Sequence, residues 1–482
     1  MKLRIRRFIK ACGKSCKWKP TALDTQNRSH VQLGHPQHHG GHHSPSRDPL
    51  QILPPELTHK IFLQWLSGAF DQYPPGSNPS QLPVLLCLVS KSWKDFVYTT
   101  PLLWRFIAVN LLKDRICDLK ALNNRLNRTQ NVSLVVHILP GYNPHIGLLQ
   151  VLFAHSNRFA ELSLDIFDQS WWERVRRAPF DRLEKFVVNC CDISCHSLST
   201  IFCTAPFLHH VQWHSSVDLF PILLVHGHQL KSIDLDIKIT GTDDHILDIL
   251  TACPNLCSAT FSRCVRNIPH AISQRKITMA NLKFLNVHGA EFLPSLLENV
   301  YAPLLSALCV TVWCSDDVLA SAFELFVSRS PLLVDLTIWN DLLSQDRLIA
   351  ILRSHPRIAR LVISTMATNF PTALLITDTM FKLLTPCQET QGGGVLLPQL
   401  EQLVVRGCVD VPDDIILDMI DSRTGSSSFL PPRAYTSLKV VMLDWCKPMS
   451  LHSINRLEQI SRERGITIGG SFVNGPAIIL MK

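Results

Sequence analysis

Residues 282–338 carry one six-residue phrase three times: LKFLNV at Leu282–Val287, LSALCV at Leu305–Val310 and LVDLTI at Leu333–Ile338. Its form is apolar–x–x–apolar–x–apolar. The alternation makes a short strand with one face buried and one open. The same phrase stands earlier as FAELSL (Phe159), LEKFVV (Leu183), LHHVQW (Leu208), LKSIDL (Leu230) and LCSATF (Leu256). It returns later as IARLVI (Ile358), LEQLVV (Leu400) and LKVVML (Leu438). The first eight intervals are 24, 25, 22, 26, 26, 23, 28 and 25 residues, and the last two are 42 and 38. The surplus coincides with TPCQETQGGGVLLPQ (Thr385–Gln399) and DSRTGSSSFLPPRAYTS (Asp421–Ser437), whose Gly, Ser and Pro mark inserted loops.

Between the phrases lie helix-like runs: DDHILDILTACPN (Asp243–Asn255), SDDVLASAFELFVSRSP (Ser315–Pro331) and SQDRLIAILRSHP (Ser344–Pro356). Each opens on Ser or Asp, an N-cap type, and closes near a proline. One such strand and helix cannot bury their apolar faces alone, but stacked neighbours can. The reading is a curved solenoid whose parallel strands line the concave side and whose helices lie outside. It resembles a leucine-rich-repeat array over roughly two-thirds of the chain. That resemblance puts an inward-turned Cys or Asn five residues after the middle apolar position. Phe186, Ala259, Leu403 and Val441 are followed at that spacing by Cys191, Cys264, Cys408 and Cys446. These read as buried structural thiols rather than nucleophiles.

Upstream the pattern changes. LPPELTHKIFLQWL (Leu53–Leu66) reads as an amphipathic helix starting at Pro54 and Pro55. LPVLLCLVSKSWKDFV (Leu82–Val97) reads as a second helix, with Leu85, Val89, Trp93 and Phe96 on one stripe. TTPLLWRFIAV restarts as a third after a Thr cap, with Pro101 in its first turn. Three short helices make a thin core with apolar surface to spare, which suggests a covering partner.

Leu53, Pro54, Glu56, Leu57, Ile61, Phe62, Leu88, Val89, Ser90, Lys91, Trp93, Pro101, Leu103 and Trp104 together make a pattern that resembles an F-box. The one departure is SGAFDQYPPGSNPSQ (Ser67–Gln81), longer than the usual connection and read as a loop insertion. The whole chain is similar to F-box proteins with leucine-rich repeats, in particular the large set in mushroom-forming (basidiomycete) fungi. In that set a late segment like DIILDMIDSR (Asp414–Arg423) recurs. The resemblance implies a substrate-recruiting adaptor subunit of a Skp–cullin–F-box ubiquitin ligase, without chemistry of its own. Its implied contacts with a Skp-type adaptor are Leu53, Pro54, Leu57, Ile61, Phe62, Leu88, Val89, Trp93, Pro101 and Trp104. An alternative is a leucine-rich-repeat interaction scaffold with no ligase, its helices capping the solenoid. A third, an enzyme within the repeats, needs a deep polar pocket.

Alternation also selects the outward positions of the strands. Gln212, Asp234, Asn286, Thr337 and Met442 lie one residue after the middle apolar position. Asp165, Asn189, His214, Asp236, His288, Trp339, Arg406 and Asp444 lie three after. Trp339 and Arg406 are the leading contact residues for an unknown protein substrate, since aromatic and Arg anchors dominate hot spots. His214, Asp234, Asp236 and His288 complete the candidate set, and the acidic pair would suit a basic segment. An ordinary solvated face is the alternative at each position.

Bulk properties agree with a binding protein. The chain has 482 residues, 46% of them hydrophobic, and no apolar run of membrane-spanning length. Of its 47 basic residues, eight fall in residues 1–19, leaving 39 to balance 39 acidic residues. The body therefore offers no bulk charge for nucleic acid. Without a signal-peptide pattern, the 16 cysteines read as reduced thiols of a cytoplasmic or nuclear protein, and the sequons at Asn27, Asn127 and Asn131 carry no weight.

Residues 1–48 read as a disordered tail: a basic run, then six histidines between His30 and His43 among Gly, Pro and Ser. The run could be a membrane-surface segment or a nuclear-import or nucleic-acid patch, but a solvated arm or an upstream translation start is favoured. The histidines read as a flexible polar linker rather than a metal site. CPNLCSATFSRC (Cys253–Cys264) lacks a second C-x-x-C, and the carboxylate pairs Asp243–Asp244, Asp316–Asp317 and Asp413–Asp414 suit helix starts. No catalytic grouping, metal site or cofactor motif emerges. The expected division is tail 1–48, F-box-like domain 49–109, linker helix and a strand leading into the array 110–140, and repeats 141–482.

Overall fold

The computed structural model describes residues 49–72, 82–110, 116–139, 146–165, 178–189, 195–214, 220–236, 244–262, 275–288, 293–311, 317–339, 343–364, 376–386, 395–407, 411–425, 435–444, 449–471 and 477–480. The chain divides into two compact units, Met1–Ala160 and Glu161–Lys482. The tail and its histidines, the cysteines Cys191, Cys264, Cys408 and Cys446, and most of both inserted loops lie outside the described residues.

In the first unit, helix α1 spans Pro55–Gln72. It runs six residues past Leu66, so the stretch from Ser67 opens as helix rather than loop; residues 73–81 lie outside the described set. The expected second helix is two helices, α2 (Leu82–Leu86) and α3 (Lys91–Thr99). The break has a local cause. Ser90 is extended (φ −159, ψ 172) and its side chain accepts a hydrogen bond from Trp93 N, which starts a new helix there. Turn bonds from Leu88 N to Leu85 O (3.1 Å) and Val89 N to Leu86 O (3.2 Å) close the connection. The expected stripe is thereby split: Trp93 is buried and Phe96 half-buried, while Leu85 and Val89 are exposed.

The expected third helix is a single 3₁₀ turn, Pro101–Trp104. The chain then becomes strand β1, Phe106–Asn110, which pairs in parallel with β2, Leu134–Leu139. Phe106, Ile107 and Val109 are aromatic or β-branched and fit a pleated surface better than a helix. Helix α4 (Ile116–Arg128) connects these strands, and α5 (Ile146–Phe153) follows β2.

Each of the eleven hexamers supplies one strand; the first strand spans the boundary between the units and the others lie in the second unit. The series is β3 (Phe159–Leu164), β4 (Lys185–Val188), β5 (His210–Trp213), β6 (Ser232–Asp236), β7 (Ser258–Ser262), then β9 (Phe284–His288) and β11 (Ala307–Thr311). It continues with β12 (Asp335–Trp339), β13 (Arg360–Ser364), β14 (Gln402–Arg406) and β15 (Val440–Asp444), and one more strand, β16 (Thr467–Ser471), follows outside the hexamers. These pair in parallel in chain order, and β17 (Ala477–Leu480) closes the edge antiparallel to β16. A separate two-residue pair, β8 (Ile277–Thr278) with β10 (Val300–Tyr301), lies outside this sheet.

The register aligns like with like: Ala307, Asp335, Arg360 and Gln402, all third in their hexamers, are successive partners. The second hexamer position continues the ladder, as in Val334 N to Ser306 O and Ala359 N to Val334 O, both 2.8 Å. Hexamer positions one, four and six are buried throughout, for example Leu333, Leu336 and Ile338. The three helix-like runs are helices, Asp244–Ala252, Asp317–Ser328 and Gln345–Ser354. Ser344 caps the last by accepting from Arg347 N. A long parallel sheet with a helix after most strands fits a leucine-rich-repeat solenoid.

Part of the expected second inserted loop is helical: Asp421–Thr424 form the last turn of the helix Asp413–Thr424. Its Arg423 is fully buried. The guanidinium donates to the carbonyls of Leu384 (2.5 Å), Leu396 (2.6 Å) and Leu397 (3.1 Å). It therefore fastens both ends of the first insertion. Burial holds its pKa down to about 10.

Candidate binding surfaces

Two surfaces hold the candidate residues, one in each unit. In the first unit, Phe62, Leu66, Leu86, Trp93, Val97, Leu103, Trp104, Phe106 and Val135 form one buried cluster. Phe62 and Trp93 meet edge to face at 5.1 Å, and Trp104 Nε1 donates to Val97 O at 2.8 Å. Arg128 stacks over Trp104 (4.5 Å) and Tyr98 (4.3 Å). Arg125 donates to Phe106 O at 2.7 Å, and burial lowers its pKa to about 9, with Arg128 adding to the effect.

Of the ten adaptor candidates, Phe62, Trp93 and Trp104 are thus core residues of the head. Ile61 and Pro101 are half-buried. Leu53, Pro54, Leu57, Leu88 and Val89 are exposed. Leu57 is 49%, Leu88 62% and Leu85 50% open. Leu53 precedes α1 and Leu57 lies in its first turn; Leu85 lies in α2, and Leu88 and Val89 in the turn that leads to Ser90.

In the second unit, the sheet's open face is built of three columns, from the third and fifth hexamer positions and the residue after each hexamer. Trp339 and Arg406 come together. They flank Ser364 in register, and the guanidinium lies 5.4 Å from the ring centroid. The small Ser364 between them leaves room for that stack. Asp444, next in the column, accepts from Arg406 Nε at 3.2 Å.

One column over, Arg360 Nη1 donates to both oxygens of Asp335 at 2.9 and 2.8 Å. Lys185 and Glu161 pair at 2.9 Å in the same way. These pairs were missed in the sequence, yet the signal was present: opposite charges occupy the same hexamer position in consecutive repeats. His214 joins the acidic spot, its ring nitrogens each 3.8 Å from a carboxylate oxygen, one of Asp234 and one of Asp236. His288 Nδ1 sits 2.8 Å from Thr311 Oγ1. Burial lowers the His288 pKa against a weaker opposing pull from Asp234.

Around β9 and β11–β14 this face holds an open trough of about 310 Å³, lined by His288, Trp339 and Arg406 among others. His214, Asp234 and Asp236 are not among its lining residues. Cys309 lies on the trough floor, its thiol pushed up to about 11 by burial and by Asp335, the reverse of nucleophile activation. Among the described residues no group of three His, Cys, Asp or Glu could hold a metal ion, and no helix is long and apolar enough to cross a membrane. An extended sheet face of this kind is typically a binding scaffold rather than a catalytic pocket.

No family model matches the sequence, and no curated protein matches it. Among solved structures, a crystal structure of a TLR13–ssRNA13 complex is similar over 67% of this chain and 50% of that chain, at 12% identity and a TM-score of 0.33. The chain thus spans half the length of the protein it matches. At that level of likeness neither residue roles nor a ligand carries over.

Proposed function

We propose that the chain is a substrate-recruiting subunit of a Skp–cullin–F-box ubiquitin ligase, in which the helical head docks a Skp-type adaptor and the open sheet face captures a protein substrate. The observation that carries the reading is the exposed set Leu53, Leu57, Leu85, Leu88 and Val89 on a head that already has a closed aromatic core. Burying a leucine or valine fully is worth ~1.5–3 kcal/mol, so four leucines and a valine left open are a substantial docking resource. Phe62, Trp93 and Trp104 hold the α1–α3 frame from within, and the leucines make the contact. Recruitment then works by raising the local concentration of substrate, not by chemistry in this chain.

Co-expression with a Skp-type adaptor tests it. The full chain co-purifies with the adaptor, while Leu57→Asp and Leu88→Asp lose the complex and leave the melting temperature nearly unchanged. No complex with the native chain, or one indifferent to both substitutions, favours a scaffold that binds partners through its repeats without a ligase.

A further inference from the structure

The open-face trough has a floor and two walls. Its floor is the middle column, Asn286, Cys309, Thr337, Val362 and Val404. Thr337, Val362 and Val404 line the trough yet are only 7%, 3% and 8% exposed, so they lie below their neighbours. Phe284, Asp335 and Arg360 form one wall; His288, Trp339 and Arg406 form the other. The groove therefore runs across the strands. From β9 to β14 it covers four strand spacings, about 19 Å, the length of about six residues of extended chain.

Its charges cancel. Arg360 is engaged by Asp335 through both carboxylate oxygens, and Arg406 is held by Asp444 and by the Trp339 ring. An incoming phosphate or carboxylate would meet guanidinium groups already neutralised, with a carboxylate beside each. No residue of the floor is ionised at neutral pH, the Cys309 thiol being pushed up to about 11. One polar atom on the floor lacks a partner: Asn286 Oδ1 is buried and accepts no hydrogen bond. Turning the Asn286 amide brings this acceptor from the interior to the groove, where a backbone N–H satisfies it.

We propose that this groove takes an extended, unmodified polypeptide segment, with aliphatic side chains on the Val362–Val404 floor against Trp339 and a backbone N–H on Asn286, and that it does not select phosphorylated segments. The proposal rests on the reading of the open face as the substrate surface and names the class of that substrate. Alternate side chains of the segment point into the floor and the others out to solvent, as in other recognition of extended peptides.

The test is a peptide array probed with fluorescently tagged full-length chain. The peptides are about twelve residues long, to exceed the groove, and each is present plain and with one phosphoserine. Retained peptides are expected to share alternating aliphatic residues and to gain nothing from phosphoserine. Their affinity should change little as salt rises from about 0.1 to 0.5 M, because no unpaired charge is in play. Trp339→Ala and Val404→Asp should each weaken capture about tenfold or more. Circular dichroism melts identify any variant that fails to fold, and Thr337→Lys then replaces it.

If phosphopeptides are preferred, or capture collapses with salt, yet Val404→Asp still abolishes it, the substrate class is overturned and the open face remains the capture surface. Capture that ignores all three substitutions refutes both. An array that retains nothing also overturns the proposal, while adaptor co-purification decides the ligase reading separately.

Discussion

In the repeat unit Leu333, Leu336 and Leu361 are fully enclosed, whereas in the head Leu57 and Leu85 stand about half open and Leu88 more than half. Both regions are rich in leucine, so composition is not the cause. A stacked repeat finds its covering surface in the next copy of itself, and so every inward position is satisfied within the chain. The head has no such copy. It closes a small core around Phe62, Trp93 and Trp104, and the leucines beyond that core are available to something else. Open apolar groups also stand on the helices of the repeat unit, Leu325 and Leu451 among them, so the contrast holds for the inward strand positions of the repeats, where the next copy supplies the cover.

The contrast is tested hardest by substitutions inside the repeats. Leu336→Ala should cost about 3 kcal/mol, since it opens a cavity that rigid neighbours cannot fill; a urea titration followed by circular dichroism would show it. An equivalent loss at Leu88, the most open of the head leucines, would erase the distinction. Next comes Arg423→Met. It keeps the volume of the side chain but takes the guanidinium from the carbonyls of Leu384 and Leu396, while Leu397 O keeps the bond from Leu400 N, at a cost of about 2–4 kcal/mol. If Arg423→Met melts with the native chain, the insertion is held by other means.

The smallest effect is with pH. His210 and His288 on the open face both have lowered pKa values, burial being the largest cause; Lys185 adds to it for His210, and Asp234 opposes it for both. The unfolded chain then binds more protons than the folded one as pH falls through about 6.5, so stability present above that pH drains away below it. Melting at pH 7.5 and 5.5 should differ less in a His210→Gln, His288→Gln double variant than in the native protein.

Most of the repeat unit was legible because its signal is redundant: a buried leucine, an alternating strand and a turn recur at nearly constant spacing, and each copy checks the others. The head had no such redundancy. In LPVLLCLVSKSWKDFV the apolar run continues through Leu88 and Val89, and one serine decides whether a helix continues or restarts. The same holds at FIAVN, where strand preference competes with a plausible helix start and parallel pairing with β2 settles the outcome. Arg423 reads as an ordinary cation at a helix end, and nothing local foretells its burial against the carbonyls of Leu384, Leu396 and Leu397. On the open face, Trp339 and Arg406 were found by column position, but their mutual stack depends on the small Ser364 between them.

The like-with-like register of the hexamers has a consequence for how such a molecule can change over time. Cutting at one hexamer and rejoining at the next brings chemically equivalent edges together, so the seam heals, and length varies in whole quanta of about 25 residues. Each quantum adds or removes one tooth from every column of the open face. A lineage can therefore edit what it grasps tooth by tooth while the interior that holds the comb together is left alone.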